Sequence, residues 1–224
     1  MAEQRKLPFV WELDNKGIIS HAIATRHSAP DIYREDIRKY CAGKKHVLTE
    51  SYDYDSLLES IDLREMVYKM LSGLKNEPRN FRQYIELKQM AETIQALDHI
   101  IQETADEMKI TNVGLETPEE QTETGKIYDK AGEILGFSDD VIDAYENGST
   151  QAMMQLMNEK TTQLKNKLTK EEFEKHMKRN ATMAERSLPY MKAPTLIAAG
   201  TYHFFQTPTI LDFYKEKGIK IKKI

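Results

Sequence analysis

Apolar and polar positions alternate over residues 7–13 and 18–24, and the Asp14-Asn15-Lys16-Gly17 cluster between them predicts a β-hairpin. A helix is predicted over 31–42, followed by a short strand, His46-Val47-Leu48-Thr49. From Tyr54 to Lys109 the pattern turns helical, with breaks near Ser72-Gly73 and Asn76-Glu77-Pro78. Phe81, Ile85, Met90, Ile94, Leu97, Ile101 and Met108 recur there at spacings near the helical period of about 3.6 residues. Lys109 to Leu115 predicts a buried strand. A second helical block over 118–191 is subdivided at Gly136-Phe137-Ser138, Asn147-Gly148-Ser149 and Leu168-Thr169. Thr169 and Glu172 have the spacing of a capping box. The chain closes on a strand at 194–199, a helix at 208–217 and a strand at 218–223. Strands at both ends and in the middle, with helices between, predict an α/β fold. The expected architecture is one domain over 1–224: a mixed β-sheet with flanking helices and a large helical insertion forming a cap, from about 54–109 and 118–191.

The chemistry concentrates where strands end. Ligands of open α/β sheets bind beyond the carboxyl ends of the strands. Here the predicted strands run into Arg26-His27, into Glu50, into Glu116 and into His203. Three helix starts follow directly: Ser28-Ala29-Pro30-Asp31, Thr117-Pro118-Glu119-Glu120 and Thr207-Pro208. Helix N-termini favour neighbouring anions. Two histidines and two glutamates converging on one crevice suit zinc, manganese or iron, and three protein ligands leave one position for water. A carboxylate outside the ligand set could act as general base, and an arginine could stabilise a developing oxyanion. Read singly, each residue is a loop histidine or a dipole partner; only their convergence points to a site.

Composition narrows the classes. With 32 Lys+Arg against 36 Asp+Glu, the net charge of -4 carries no strongly basic nucleic-acid footprint. No stretch reaches the roughly 20 apolar residues of a membrane span. The first residues lack the apolar core of a secretory signal, and the single cysteine, Cys41, fits a reducing compartment, so the expected location is the cytoplasm. Phosphate loops, paired cysteines, His-Glu-x-x-His and dinucleotide glycines are absent from the sequence. His21 reads as structural; His46, His99 and His176 read as partly exposed polar residues, with His176 three residues from Arg179 and able to border the crevice. Ser28 reads as a helix cap and Cys41 as a small buried residue. Met153, Met154, Met157, Met177 and Met183 read as core, and the lysine-rich tail as a solvated edge.

Taken together, Ala24-Thr25-Arg26-His27, Glu50-Ser51-Tyr52-Asp53, Leu115-Glu116-Thr117-Pro118-Glu119-Glu120-Gln121, Arg179-Asn180-Ala181-Thr182-Met183-Ala184 and Gly200-Thr201-Tyr202-His203 resemble the TraB/PrgY/GumN family, related to the TIKI metalloproteases. Order and spacing hold from Trp11 to Ile224. The resemblance implies metal-dependent hydrolysis of a peptide or related amide or ester. It implies a divalent ion (zinc, manganese or cobalt) on His27, Glu50 and His203, with Glu50, Glu116 and Arg179 in catalytic roles. Glu116 would be base or support, and Arg179 an oxyanion or carboxylate clamp. The implied partner is a peptide or small-molecule substrate, not nucleic acid. Two departures stand out. Ala24 replaces the family's first glycine, where a positive φ or a close approach would be lost. Arg26 stands where the family has an apolar residue. These departures leave a rival expectation, a non-catalytic protein that sequesters a peptide or signalling molecule in the same crevice. A metal-free esterase or a haem-binding relative is the third.

Overall fold

The computed structural model describes residues 6–26, 33–50, 97–135 and 138–224. At its centre lies a six-stranded sheet in the order β4-β3-β5-β2-β1-β6. The strands are β1 (Val10–Asn15), β2 (Ile18–Thr25), β3 (His46–Thr49), β4 (Thr111–Gly114), β5 (Thr195–Gly200) and β6 (Lys220–Lys223). The pairs β2–β5, β5–β3 and β3–β4 are parallel, whereas β1 is antiparallel to both β2 and β6. This is the mixed sheet expected from the sequence. The hairpin is tighter than the composition of its turn implied, because Asn15 pairs directly with Ile18. Lys16 and Gly17 alone form the loop, at φ 54° and 90°. Two positive φ values match the right-handed twist of the flanking strands. The first strand starts only after Pro8, which has no N–H for the ladder.

Both faces of the sheet are covered, and the alternation along β5 shows how. Ile197 and Ala199 join Phe9, Trp11, Leu13, Ala22 and Ala24 in one core, while Leu196 and Ala198 join Val10, Ile23 and Val47 in another. A strand buried on both faces reads as a continuous apolar run rather than an alternation. The second core is closed by α1 (Arg34–Cys41) and α2 (Leu97–Glu107), through Ile37, Cys41, Leu97, Ile100, Ile101 and Ala105. Cys41 is fully buried, and that burial pushes its thiol up to about 12, as an inert packing residue requires. The first core is closed by the helices that lie between β4 and β5 and by those after β5. Small alanines on β2 and β5 leave room there for aromatic packing: Trp11 stacks on Phe204 at 4.9 Å, and Phe9 meets Phe205 edge-on at 4.8 Å.

The helical insertion between β4 and β5 comprises α3 (Pro118–Leu135), α4 (Asp139–Glu146), α5 (Thr150–Lys167) and α6 (Lys170–Ser187). Its divisions fall where the turn residues predict. The Thr169–Glu172 capping box is present, as is the reciprocal Thr117–Glu120 pair at 2.8 and 3.3 Å. Met153, Met157 and Met183 fill the core, but Met154 is 45% exposed, so the methionines are not uniformly internal. Of the earlier insertion expected over about 54–109, residues up to 96, with the periodic positions Phe81 to Ile94, lie outside the described residues, as does the expected cap at Ser28–Asp31. After β5 the chain forms two helices, α7 (Thr201–Phe205) and α8 (Ile210–Glu216), instead of the single helix predicted over 208–217. Thr207 is not the cap: Thr209 caps α8 in a box with Asp212, and the Thr207–Pro208 peptide is cis. The tail lysines are exposed, as expected, and one of them also makes specific contacts. Lys223 Nζ sits 4.4 Å above the Phe9 ring and donates to Gly148 O and Thr150 Oγ1 at 3.0 and 2.9 Å.

Candidate functional site

Because β2, β5, β3 and β4 are parallel, their carboxyl ends reach one edge of the sheet together. The β3–β4 pairing continues past the strands: Leu115 N donates to Thr49 O at 2.8 Å and Glu116 N to Glu50 O at 3.0 Å. That ladder sets two glutamates side by side. Glu50 then turns toward β5, where Gly200 N donates to its Oε1. A β-carbon at position 200 would stand 2.8 Å from the same oxygen, so only glycine lets the carboxylate dock here. One turn of α7 later, His203 Nε2 lies 3.3 Å from Glu50 Oε1.

The other imidazole nitrogen fixes the tautomer. Asn180 uses its amide nitrogen to donate to Pro208 O at 2.7 Å and to Gln206 O at 3.3 Å. Its oxygen is thereby turned to His203 Nδ1, 2.5 Å away. Assigned from this network, Nδ1 carries a hydrogen and Nε2 faces Glu50. A lone pair facing a carboxylate is repulsive unless a proton or a cation sits between them. Arg179 supplies one positive charge from α6: Nε and Nη2 donate to the two oxygens of Glu116 at 2.6 and 3.0 Å, and Nη2 reaches Glu50 Oε2 at 3.8 Å. One guanidinium therefore faces two carboxylates in a site where the side chains of Glu116, Arg179 and Glu50 are 6, 11 and 16% exposed. Two carboxylates thus share one guanidinium, and one of them turns an oxygen to the imidazole.

Two of these donors are spaced as two ligands of one divalent ion would be. Two ligands each about 2.0–2.1 Å from a tetrahedral centre are about 3.3–3.4 Å apart, which matches the separation of His203 Nε2 and Glu50 Oε1. The second-sphere bond from Nδ1 to an amide oxygen is the arrangement that orients a ligating histidine. Among the described residues no group of three or more His, Cys, Asp or Glu is placed to hold a metal. The third expected ligand, His27, lies outside the described residues. Its strand is in place, since Thr25 is the register partner of Gly200 and accepts from Thr201 Oγ1 through its carbonyl at 2.6 Å.

Both departures from the family pattern are accommodated. Ala24 lies inside β2 with its methyl in the core, and its carbonyl accepts from Tyr145 at 2.8 Å, so no turn is perturbed there. Arg26 is buried over the Tyr145 ring, 5.5 Å from its centroid, with Nη2 3.7 Å from Glu146. It anchors α4 to the end of β2.

Two residues escaped the sequence reading. Asn180 stands in the Arg179–Ala184 motif but was given no role of its own. Asp98 was hidden in the apolar face of α2, between Leu97 and Ile100. It is 3% exposed, its Oδ1 has no partner, and it is raised to about 8 by burial first and then by the charge of Glu50, against a pull from the Thr25 hydroxyl. The cue was an acid flanked by buried aliphatics. His176 corrects an expectation: it is buried, not partly exposed. Its Nε2 donates to Gln206 Oε1 at 3.2 Å, and burial lowers it to about 4, helped by Arg179 and His203. It does border a cleft of about 330 Å³ between α3 and α6, whose lining also includes Glu116 and Arg179.

Fold and edge together define an α/β protein with a carboxylate–imidazole–guanidinium site at the ends of its parallel strands. The TraB/PrgY/gumN family model matches residues 44–223, and the chain belongs to that family. The matched residues hold Glu50, Glu116, Arg179 and His203; the first motif, with His27, precedes them. No curated protein and no solved structure matches the chain. No helix among the described residues is long and apolar enough to cross a membrane.

Proposed function

We propose that this protein hydrolyses peptides, or closely related amides and esters, at the strand-end site with a divalent ion held by Glu50, His203 and His27. The observation that carries this reading is the 3.3 Å approach of His203 Nε2 to Glu50 Oε1, with Nδ1 held by Asn180. Zinc, manganese or cobalt all suit an imidazole–carboxylate set, and such an ion supplies Lewis acidity and brings the pKa of water to about 7. The chain's own residues do the rest. Asn180 keeps the hydrogen of His203 on Nδ1, so Nε2 stays a donor of its lone pair. Gly200 holds Glu50 through its backbone N–H. Glu116 has both oxygens committed to Arg179, which makes it the support of a clamp rather than the general base. Arg179, fixed by that fork with Nη2 3.8 Å from Glu50 Oε2, is proposed to steady negative charge on a substrate carbonyl oxygen.

Hydrolysis of a peptide library by the purified protein tests this. Cleavage that disappears in His203→Ala and in Glu50→Gln, and in the presence of a chelator, is the expected result. Tight binding of a peptide without turnover would identify a sequestering protein instead.

A further inference from the structure

We propose that the cleft between α3 and α6 receives acidic side chains of the substrate, with Lys126 and Lys178 as its specificity-determining cations; this rests on the hydrolase reading and names the substrate class of that site. The cleft adjoins the site, since Glu116 and Arg179 belong to both. Its charges look balanced by count, four acids against four bases on the lining. Their pairing says otherwise. Glu116 is held by Arg179 at 2.6 Å, Glu120 by Arg186 at 2.8 Å, Glu123 by Lys175 at 3.4 Å, and Glu172 by Lys130. Arg186 and Lys130 are not lining residues: they approach from outside and neutralise two of the acids. Lys126, on α3, and Lys178, on α6, form no ion pair with a described residue. Both are exposed at the cleft.

Every lining acid is thus spoken for, and among the described residues two ammonium groups, one from each helix, are left over. A carboxylate entering between them would meet uncompensated positive charge, whereas a basic side chain would have to break an existing pair. The rest of the lining includes apolar and hydroxyl side chains, Ile127, Met183, Thr124 and Thr182. A volume of about 330 Å³ with such a lining suits a short extended peptide segment rather than a bare inorganic anion.

The test is equilibrium binding, by fluorescence anisotropy, of two labelled peptides to the full chain: one of alternating Ala and Glu, the other with Gln for each Glu. Hydrolysis of the same two peptides is followed in parallel. At low salt the acidic peptide should bind about three- to tenfold more tightly, the gain that two exposed charge contacts provide, and added salt should erase the difference. The preference should vanish or invert in the Lys126→Glu/Lys178→Glu double variant, with the effect in KM rather than kcat. Equal binding of both peptides to the wild type, or a preference that survives the double variant, overturns the assignment. Preferential binding of the acidic peptide with neither peptide cleaved leaves the assignment standing and removes the hydrolase reading.

Discussion

Two histidines, equally buried at 4% exposure, sit on the same side of the sheet and have opposite chemistry. At the strand ends His203 gives its Nδ1 hydrogen to Asn180 and turns Nε2 to Glu50. Behind it, on α6, His176 gives its Nε2 hydrogen to Gln206 Oε1, and its Nδ1 is buried without a partner. Gln206 connects the two regions. Its carbonyl receives Asn180, its side-chain oxygen receives His176, and its amide donates to Thr161 at 3.0 Å. Burial alone therefore does not distinguish a ligand from a packing residue. What separates them is which nitrogen the protein has already used and what the remaining lone pair faces.

Exchanging the two histidines one at a time should break the comparison most sharply. His203→Ala is expected to lower hydrolysis by about 10³-fold, the scale of losing an essential acid–base or metal-activating group. His176→Gln, which leaves Nε2 of His203 untouched, should retain activity within a few-fold. Steady-state kinetics of the two variants decides. A smaller loss is expected from Asn180→Ala: about 10- to 100-fold, as for other partners that orient a ligating histidine, with part of it recovered in Asn180→Gln if the oxygen alone matters.

Stability against pH sharpens the same contrast. His176 is held at about 4 in the folded chain against 6.5 ordinarily. Between those values the unfolded chain binds a proton that the folded chain refuses, so stability falls as pH drops from 6.5 to 4 and is unaffected above. Urea unfolding across this window should show a shallower decline in His176→Gln; His21, also held at about 4 by burial and by Lys44, accounts for a further part of the slope. Asp98 works in the opposite direction. Raised to about 8 from 3.8, it keeps a proton that the unfolded chain has released, so stability falls as pH climbs between those values. Asp98→Asn should flatten that decline. An unchanged slope would mean that Asp98 titrates as it does in water.

Much of the architecture could be read from local pattern. The hairpin, the strand ends at Glu50, Glu116 and Gly200, the four helices of the insertion and the two capping boxes follow from turn residues and periodicity, which act over a few residues. Helix starts near Thr207 did not, because Pro at a first helical turn and cis-Pro before Thr209 look alike in sequence. The site divides in the same way. Glu50, Glu116 and His203 come together at the strand ends, since parallel pairing brings successive carboxyl ends to one edge, and α6 carries Arg179 to them. The pairing among them was not legible: nothing local says that Glu116 gives both oxygens to Arg179, or that Asn180 chooses the tautomer of His203. Those are contacts between elements more than 20 residues apart, set by how α6 crosses the strand ends. Asp98 was missed for the same reason, since its environment is made by β2 and Glu50 rather than by its own helix.

The most direct test is cobalt(II) titration followed by its visible absorption, in the wild type and in three variants. One equivalent bound by the wild type, lost in His203→Ala and in Glu50→Gln and kept in His176→Gln, is the predicted outcome. Cobalt binding that is unchanged by removing both His203 and Glu50 would contradict a cation shared between those two side chains.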